Sequence, residues 1–381
     1  MWLRIIKRIC LGLVCICIIL NLHSFVFAED NIVEEVKNAY GLDDTIDILE
    51  EYVKEVDLSD MTNDLLKGEA LDMSSLLDMF FNLIFKEIKI ELRTLIRILV
   101  VIVLIAIIKC LELDKGSLEN VINVISFLVI TVIILKNYID ILDLFKNTIS
   151  ALTKVTEIVS PIILGLLIAT GEILTSGIIG PAIMFLTSLC GLAVSYVVLP
   201  LLNIMLVFKI ISSISESVNL DKLGEFSGKF AMWITSIMFA LVLGVLGLES
   251  SVSTSVDAVT VKTTQAAVSN LIPVVGKFVS DSAEIVMGAS EIIGKTIGAI
   301  GIIVIVITVA TPILKLFIIS LIYGVIEGIA VALMKECKTT KLIGAFSKQY
   351  STLAGIMVGI SCVFVITLAL AISLFGKAVA S

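Results

Sequence analysis

The chain has 381 residues, 58% of them hydrophobic and 16% charged, with a formal net charge of −8. A soluble domain carries roughly 25% charged residues, so this composition argues against a soluble protein and for a polytopic helical membrane protein of the all-α class. The acidic balance gives no footing for nucleic acid.

The chain begins "MWLRIIKRICLGLVCICIILNLHSFVFAED". Arg4, Lys7 and Arg8 form a basic region, residues 9–22 an apolar one, and Val26-Phe27-Ala28 offers small residues ahead of Glu29-Asp30. These are the three parts of a secretory signal, here 1–28 with cleavage expected after Ala28; the alternative is an uncleaved first transmembrane helix. His23 is the only histidine in the chain. Cleavage would remove it and leave no imidazole for general base catalysis or metal ligation. Cys110, Cys190, Cys337 and Cys362 lie in or beside apolar stretches without a CxxC pair, which implies packing and neither a disulfide framework nor a zinc site. No cofactor and no enzyme activity are expected.

Residues 29–90 read as an acidic helical segment, extracytoplasmic if it follows a signal. Positions 29–78 hold sixteen Asp and Glu against Lys37, Lys54 and Lys67. With the three cations of the first 28 residues allowed for, positions 79–381 carry only +2. Leu42, Ile46, Leu49, Val53 and Val56 recur at spacings of three and four, an amphipathic helix pattern. So short a segment buries little core alone. Its helices are expected to lie against other subunits or the exterior of the membrane domain, with the acidic face either solvated or used for docking.

Residues 91–381 form the multi-span membrane domain. Apolar runs cover 95–111, 121–135, 158–211, 230–248, 297–334 and 353–375. At 1.5 Å per residue, 158–211 is long enough for two or more crossings, and 297–334 would span roughly 57 Å as one helix, nearly twice a hydrocarbon core. The second run is therefore expected to divide or break, and about seven or eight crossings follow. Lys335, Lys338, Lys341 and Lys348 stand against Glu336 between the last two runs, a positive-inside signal. Placing that loop in the cytoplasm puts the C-terminus outside.

An internal repeat is suggested by "PLLNIML" at 200–206 and "PILKLFI" at 312–318, followed by "KLGEFSGKF" at 222–230 and "KLIGAFSKQY" at 341–350. Such repeats with broken or re-entrant helices occur in transporters and channels. Pro200 and Pro312 are candidate helix breaks, as are Pro273 and Gly276 in the small-residue stretch 261–295, which reads as a re-entrant element or an amphipathic linker. Glu172, Lys315 and Glu327 are charges inside apolar runs. An unpaired charge at that depth costs about 2.5–3.5 kcal/mol on the insertion scale. They can sit at helix ends near headgroups, pair inside the bundle, or line a polar path. The glycine pairs Gly294/Gly298, Gly324/Gly328 and Gly355/Gly359 read as close helix packing.

The apparent signal, acidic stretch, multi-span body and "KTTQAAVSNLIPVVGKFVSDSAE", with its core at Asn270–Lys277, together resemble the stage III sporulation protein AE family over essentially the whole chain. The resemblance implies a multi-pass protein of the mother-cell membrane facing the forespore. Its partners would be other stage III sporulation A proteins, including the AA ATPase, and indirectly stage II sporulation protein Q, in a secretion-like channel or feeding tube. Membrane lipid surrounds it, and a homo-oligomer is allowed. The alternative is a stand-alone permease or secondary transporter.

Overall fold

The computed structural model describes residues 42–53, 58, 61–62, 73–111, 117–170, 173–214, 220–252, 273–334 and 337–376. The described residues are helical with no strand: α1 (Leu42–Glu50), α2 (Met73–Leu111), α3 (Ser117–Ala169), α4 (Ile173–Ala193), α5 (Leu199–Ile214), α6 (Asp221–Val252), α7 (Pro273–Met334) and α8 (Lys338–Ser373). The signal with Ala28, and the diagnostic core from Asn270 to Ile272, lie outside the described residues.

Five helical stretches are long and apolar enough to cross a membrane: 124–169, 180–213, 221–245, 288–334 and 338–373. The helices depart from the layout of the apolar runs in two places among the described residues. The first concerns 136–157, which separates the apolar runs 121–135 and 158–211 and is the middle of the 53-residue α3. Its charges fall on one side of the helix, while Tyr138, Ile141, Phe145, Ile149, Leu152, Val155 and Val159 are buried on the other at the same three-and-four spacing. An amphipathic stretch propagates a helix as readily as an apolar one.

The second concerns 297–334, which does not divide as expected. It is part of one 62-residue helix, α7, with Pro312 inside it. Such a helix is about 93 Å long, three times a hydrocarbon core. A break is required only where lipid contact has to end, and residues 289–305 are buried except at Lys295. Protein, and not lipid, surrounds that stretch. An interior proline removes one helix hydrogen bond and costs about 3 kcal/mol, and Pro312 is itself buried among half-buried neighbours.

Pro200 behaves differently. A single π turn, Val194–Val198, precedes it and joins α4 to α5, with the Leu199 N–H donating to the Val194 carbonyl. The wider turn makes room for the proline ring, which would otherwise press on the carbonyl four residues back. Pro273 is the first residue of α7, the position where a missing N–H costs nothing, and Gly276 is in its first turn.

α7 and α8 form an antiparallel hairpin at the centre, packed on α3. Their approach depends on small residues: a Cβ on Gly294 would strike the Phe375 ring, and one on Gly298 would strike Ile372. The other two glycine pairs differ. Gly324 is in ordinary contact with Ser347, Gly359 lies against Thr235, and Gly328 and Gly355 face open space. α4 folds back along α3, α5 packs on α8, and α6 pairs antiparallel with α5, where Lys209 bridges Asp221 at 3.5 Å and Glu225 at 3.8 Å. Ile46 and Leu49 of α1, with Val53 and Leu58 beyond it, join the same apolar core, so the amphipathic face of the acidic segment is used within the chain.

Candidate functional site

A polar layer crosses the bundle where α3, α5, α7 and α8 meet. Gln349 of α8 is buried, and its Nε2 donates both to the Tyr138 hydroxyl at 3.0 Å and to the Leu202 carbonyl at 2.9 Å. One amide thus ties α8 to α3 and to α5. Asn137 Nδ2 donates to the Tyr323 hydroxyl at 3.3 Å, joining α3 to α7. Ser320 Oγ donates to the Ser347 carbonyl at 2.9 Å, and Ser347 Oγ returns the bond to the Ser320 carbonyl at 3.0 Å.

Aromatic rings fill the space between these bonds. Tyr323 and Tyr350 have centroids 5.1 Å apart, and Tyr138 meets Phe346 edge to face at 5.8 Å. Tyrosine suits such a layer because its ring is apolar and its hydroxyl takes a partner. From the turn between α7 and α8, Tyr350 is about 18 Å along its helix, roughly half a hydrocarbon core.

Lys315 and Glu327, two of the charges singled out in the sequence, are not brought together. Lys315 pairs with Glu91 of α2 at 3.8 Å, the lysine side chain 27% exposed and the carboxylate 5%. Glu327 lies over Gly344 of α8, where any Cβ would run into its carboxylate. Glu172 lies outside the described residues. Sequence reasoning missed Glu91, Gln349 and the three tyrosines. Glu91 sits just before an apolar run and looks like an ordinary interfacial charge. Gln349 is masked by the lysines around it.

Among the described residues no group of three or more His, Cys, Asp or Glu could hold a metal ion. The chemistry of the layer is that of a structural lock between helices, with one partly exposed ion pair, Lys315–Glu91, beside it.

The family described as Stage III sporulation protein AE matches residues 56–374, well over half the sequence. The chain belongs to this family. The stage III sporulation protein AE of Bacillus subtilis (strain 168) is 22% identical over 251 residues, 65% of this chain and 63% of that relative's length. The match therefore spans less than two thirds of that relative. No solved structure matches. Stage III sporulation protein AE is a sporulation family and not one named for an enzyme, and its member here is an all-α, membrane-associated protein.

Proposed function

We propose that this chain is a membrane subunit of a transenvelope, secretion-like channel between mother cell and forespore, required for endospore formation and late forespore gene expression. The family match over residues 56–374 carries this reading. The fold supports it: a buried α7–α8 hairpin gives a rigid centre, and α4–α6 present apolar side chains outward as a lipid-facing surface. The subunit sits in the mother-cell membrane as an inner-membrane conduit or scaffold, with its acidic N-terminal segment, behind a cleaved signal, on the extracytoplasmic side. Lys338, Lys341 and Lys348 at the start of α8 then face the cytoplasm by the positive-inside rule. The other stage III sporulation A proteins, including the AA ATPase, are its partners.

The test is a strain lacking the chain, scored for late forespore gene expression with and without the full sequence supplied back. Loss on deletion and recovery on return are expected; undiminished expression in the deleted strain overturns the proposal. For the partners, removing residues 30–78 behind the signal abolishes co-purification of other stage III A proteins from sporulating cells. Unchanged recovery removes the acidic segment from that role.

A further inference from the structure

One surface of the membrane domain does not fit a lipid environment. Between positions 136 and 157 of α3 the exposed side chains are Lys136, Asp140, Asp143, Lys146, Asn147, Ser150, Lys154 and Glu157, with Ile139 the one apolar exception. Lys136, Asp140, Asp143, Asn147, Ser150, Lys154 and Glu157 are alternately four and three residues apart, which aligns them in a single row. The row is about 31 Å long, a full hydrocarbon core.

The neighbouring helices show what surrounds this row. Gly180 lies beside Leu164 and Gly191 beside Thr153, and the Leu202 carbonyl shares the Gln349 amide with Tyr138. Gly191 thus lies at the depth of Thr153, and Leu202, across the Gln349 amide, at the depth of Tyr138. Over that length α4, the π turn and α5 expose Leu192, Tyr196 and Val197. α6 is held to the same depth by Cys190 against Met238, 3.7 Å between sulfurs, and exposes Met232, Trp233 and Ile237, with Ser236 bonded back to its own helix as the one polar exception. One flank of the bundle is therefore apolar at the depth where α3 is charged.

Six charges cannot face acyl chains. A parallel copy of α3 does not close the row either, because identical charges would meet at each position. The complementary antiparallel pairing, Lys136 with Glu157 and Asp140 with Lys154, needs a copy inserted upside down. We infer that the Lys136–Glu157 face of α3 is the wall of a water-filled path through the membrane domain. It rests on the channel reading above for its biological use, not for its geometry. Its three cations and three anions balance, so the wall lacks the single-sign ring that selects ions by charge. It suits hydrophilic solutes of either sign.

The experiment is impermeant thiol labelling of the full chain in sporulating-cell membranes, in a background whose native cysteines are replaced by alanine. Asn147→Cys and Ser150→Cys probe the row with small, polar replacements, and Leu192→Cys and Val197→Cys probe the apolar flank. Thiolate formation needs water, so the row should react about tenfold faster or more than the flank. Cationic and anionic methanethiosulfonates should react with the row at similar rates. Slow labelling at both kinds of site overturns the inference, since lipid or protein then covers the row. Fast labelling at both overturns it too, because the segment then stands outside the membrane. A strong preference for one sign of reagent overturns the unselective wall. An unreactive row in a chain still required for late forespore gene expression sinks this inference alone. A reactive row in a dispensable chain sinks the sporulation reading alone.

Discussion

The hairpins α5–α6 and α7–α8 are built from matching sequence and end in opposite environments. Each has a proline at or inside its first helix, Pro200 or Pro312, and a Gly-x-Phe-Ser stretch early in its second, Gly224–Ser227 or Gly344–Ser347. In both, the glycine lets the second helix press on the first: a Cβ on Gly224 would sit 3.2 Å from the Met205 carbonyl oxygen, and one on Gly344 would meet Glu327. The phenylalanines then part company. Phe226 is 65% exposed and stacks on Phe230, which stacks on Trp233, whereas Phe346 is fully buried against Tyr138 and Tyr350. Ser227 donates to Leu223 in its own helix, but Ser347 donates across to α7. Local sequence sets the hairpin; what covers it decides whether the same side chain is core or lipid contact.

This contrast can be broken by paired substitutions read as thermal unfolding in detergent. Phe346→Ala should cost about 3–5 kcal/mol as a cavity in a packed core, and Phe226→Ala no more than about 0.5 kcal/mol. Equal losses would end the distinction. Lys315→Met leaves Glu91 buried without its cation and should cost about 1–3 kcal/mol, less than a fully dry pair because the lysine is partly exposed. Glu91→Leu added to it should restore most of that loss, while Asn203→Leu, at the matching exposed position, should be silent. Gln349→Leu, which abolishes the bonds to Tyr138 and Leu202, should cost about 1–3 kcal/mol, against little change for the matching Lys229→Leu. The smallest separation is Ser347→Ala, about 1 kcal/mol, against a few tenths for Ser227→Ala, whose bond stays within one helix turn.

The all-α membrane class was legible because composition and long apolar runs state it directly. The continuity of α3 was written in the spacing of Lys136, Asp140, Asp143, Asn147, Ser150, Lys154 and Glu157, but a charge-dense stretch between two apolar runs looks like a connector until its periodicity is counted. The continuity of α7 through Pro312 could not be read from the run itself, because shelter by α3 and α8 is a property of the tertiary structure. The same holds for Lys315, whose partner Glu91 is far away in sequence and belongs to a helix with its own basic residues. Helix-end placement, mutual pairing and a polar path all stay open for Lys315, Glu172 and Glu327 in the sequence, because each simply interrupts an apolar run.

The reciprocal bonds between Ser320 and Ser347 have a mechanical consequence. Each helix both gives and receives at the same point, so an axial slip of one turn breaks two bonds at once and re-forms neither. Small side chains fitted against Phe375 and Ile372 farther along the pair resist the same slip. α7 and α8 therefore move as one strut. Any motion that widens or narrows the membrane domain has its hinge elsewhere, and the π turn ahead of Pro200, where the backbone is already loosened, is the natural place for it to bend.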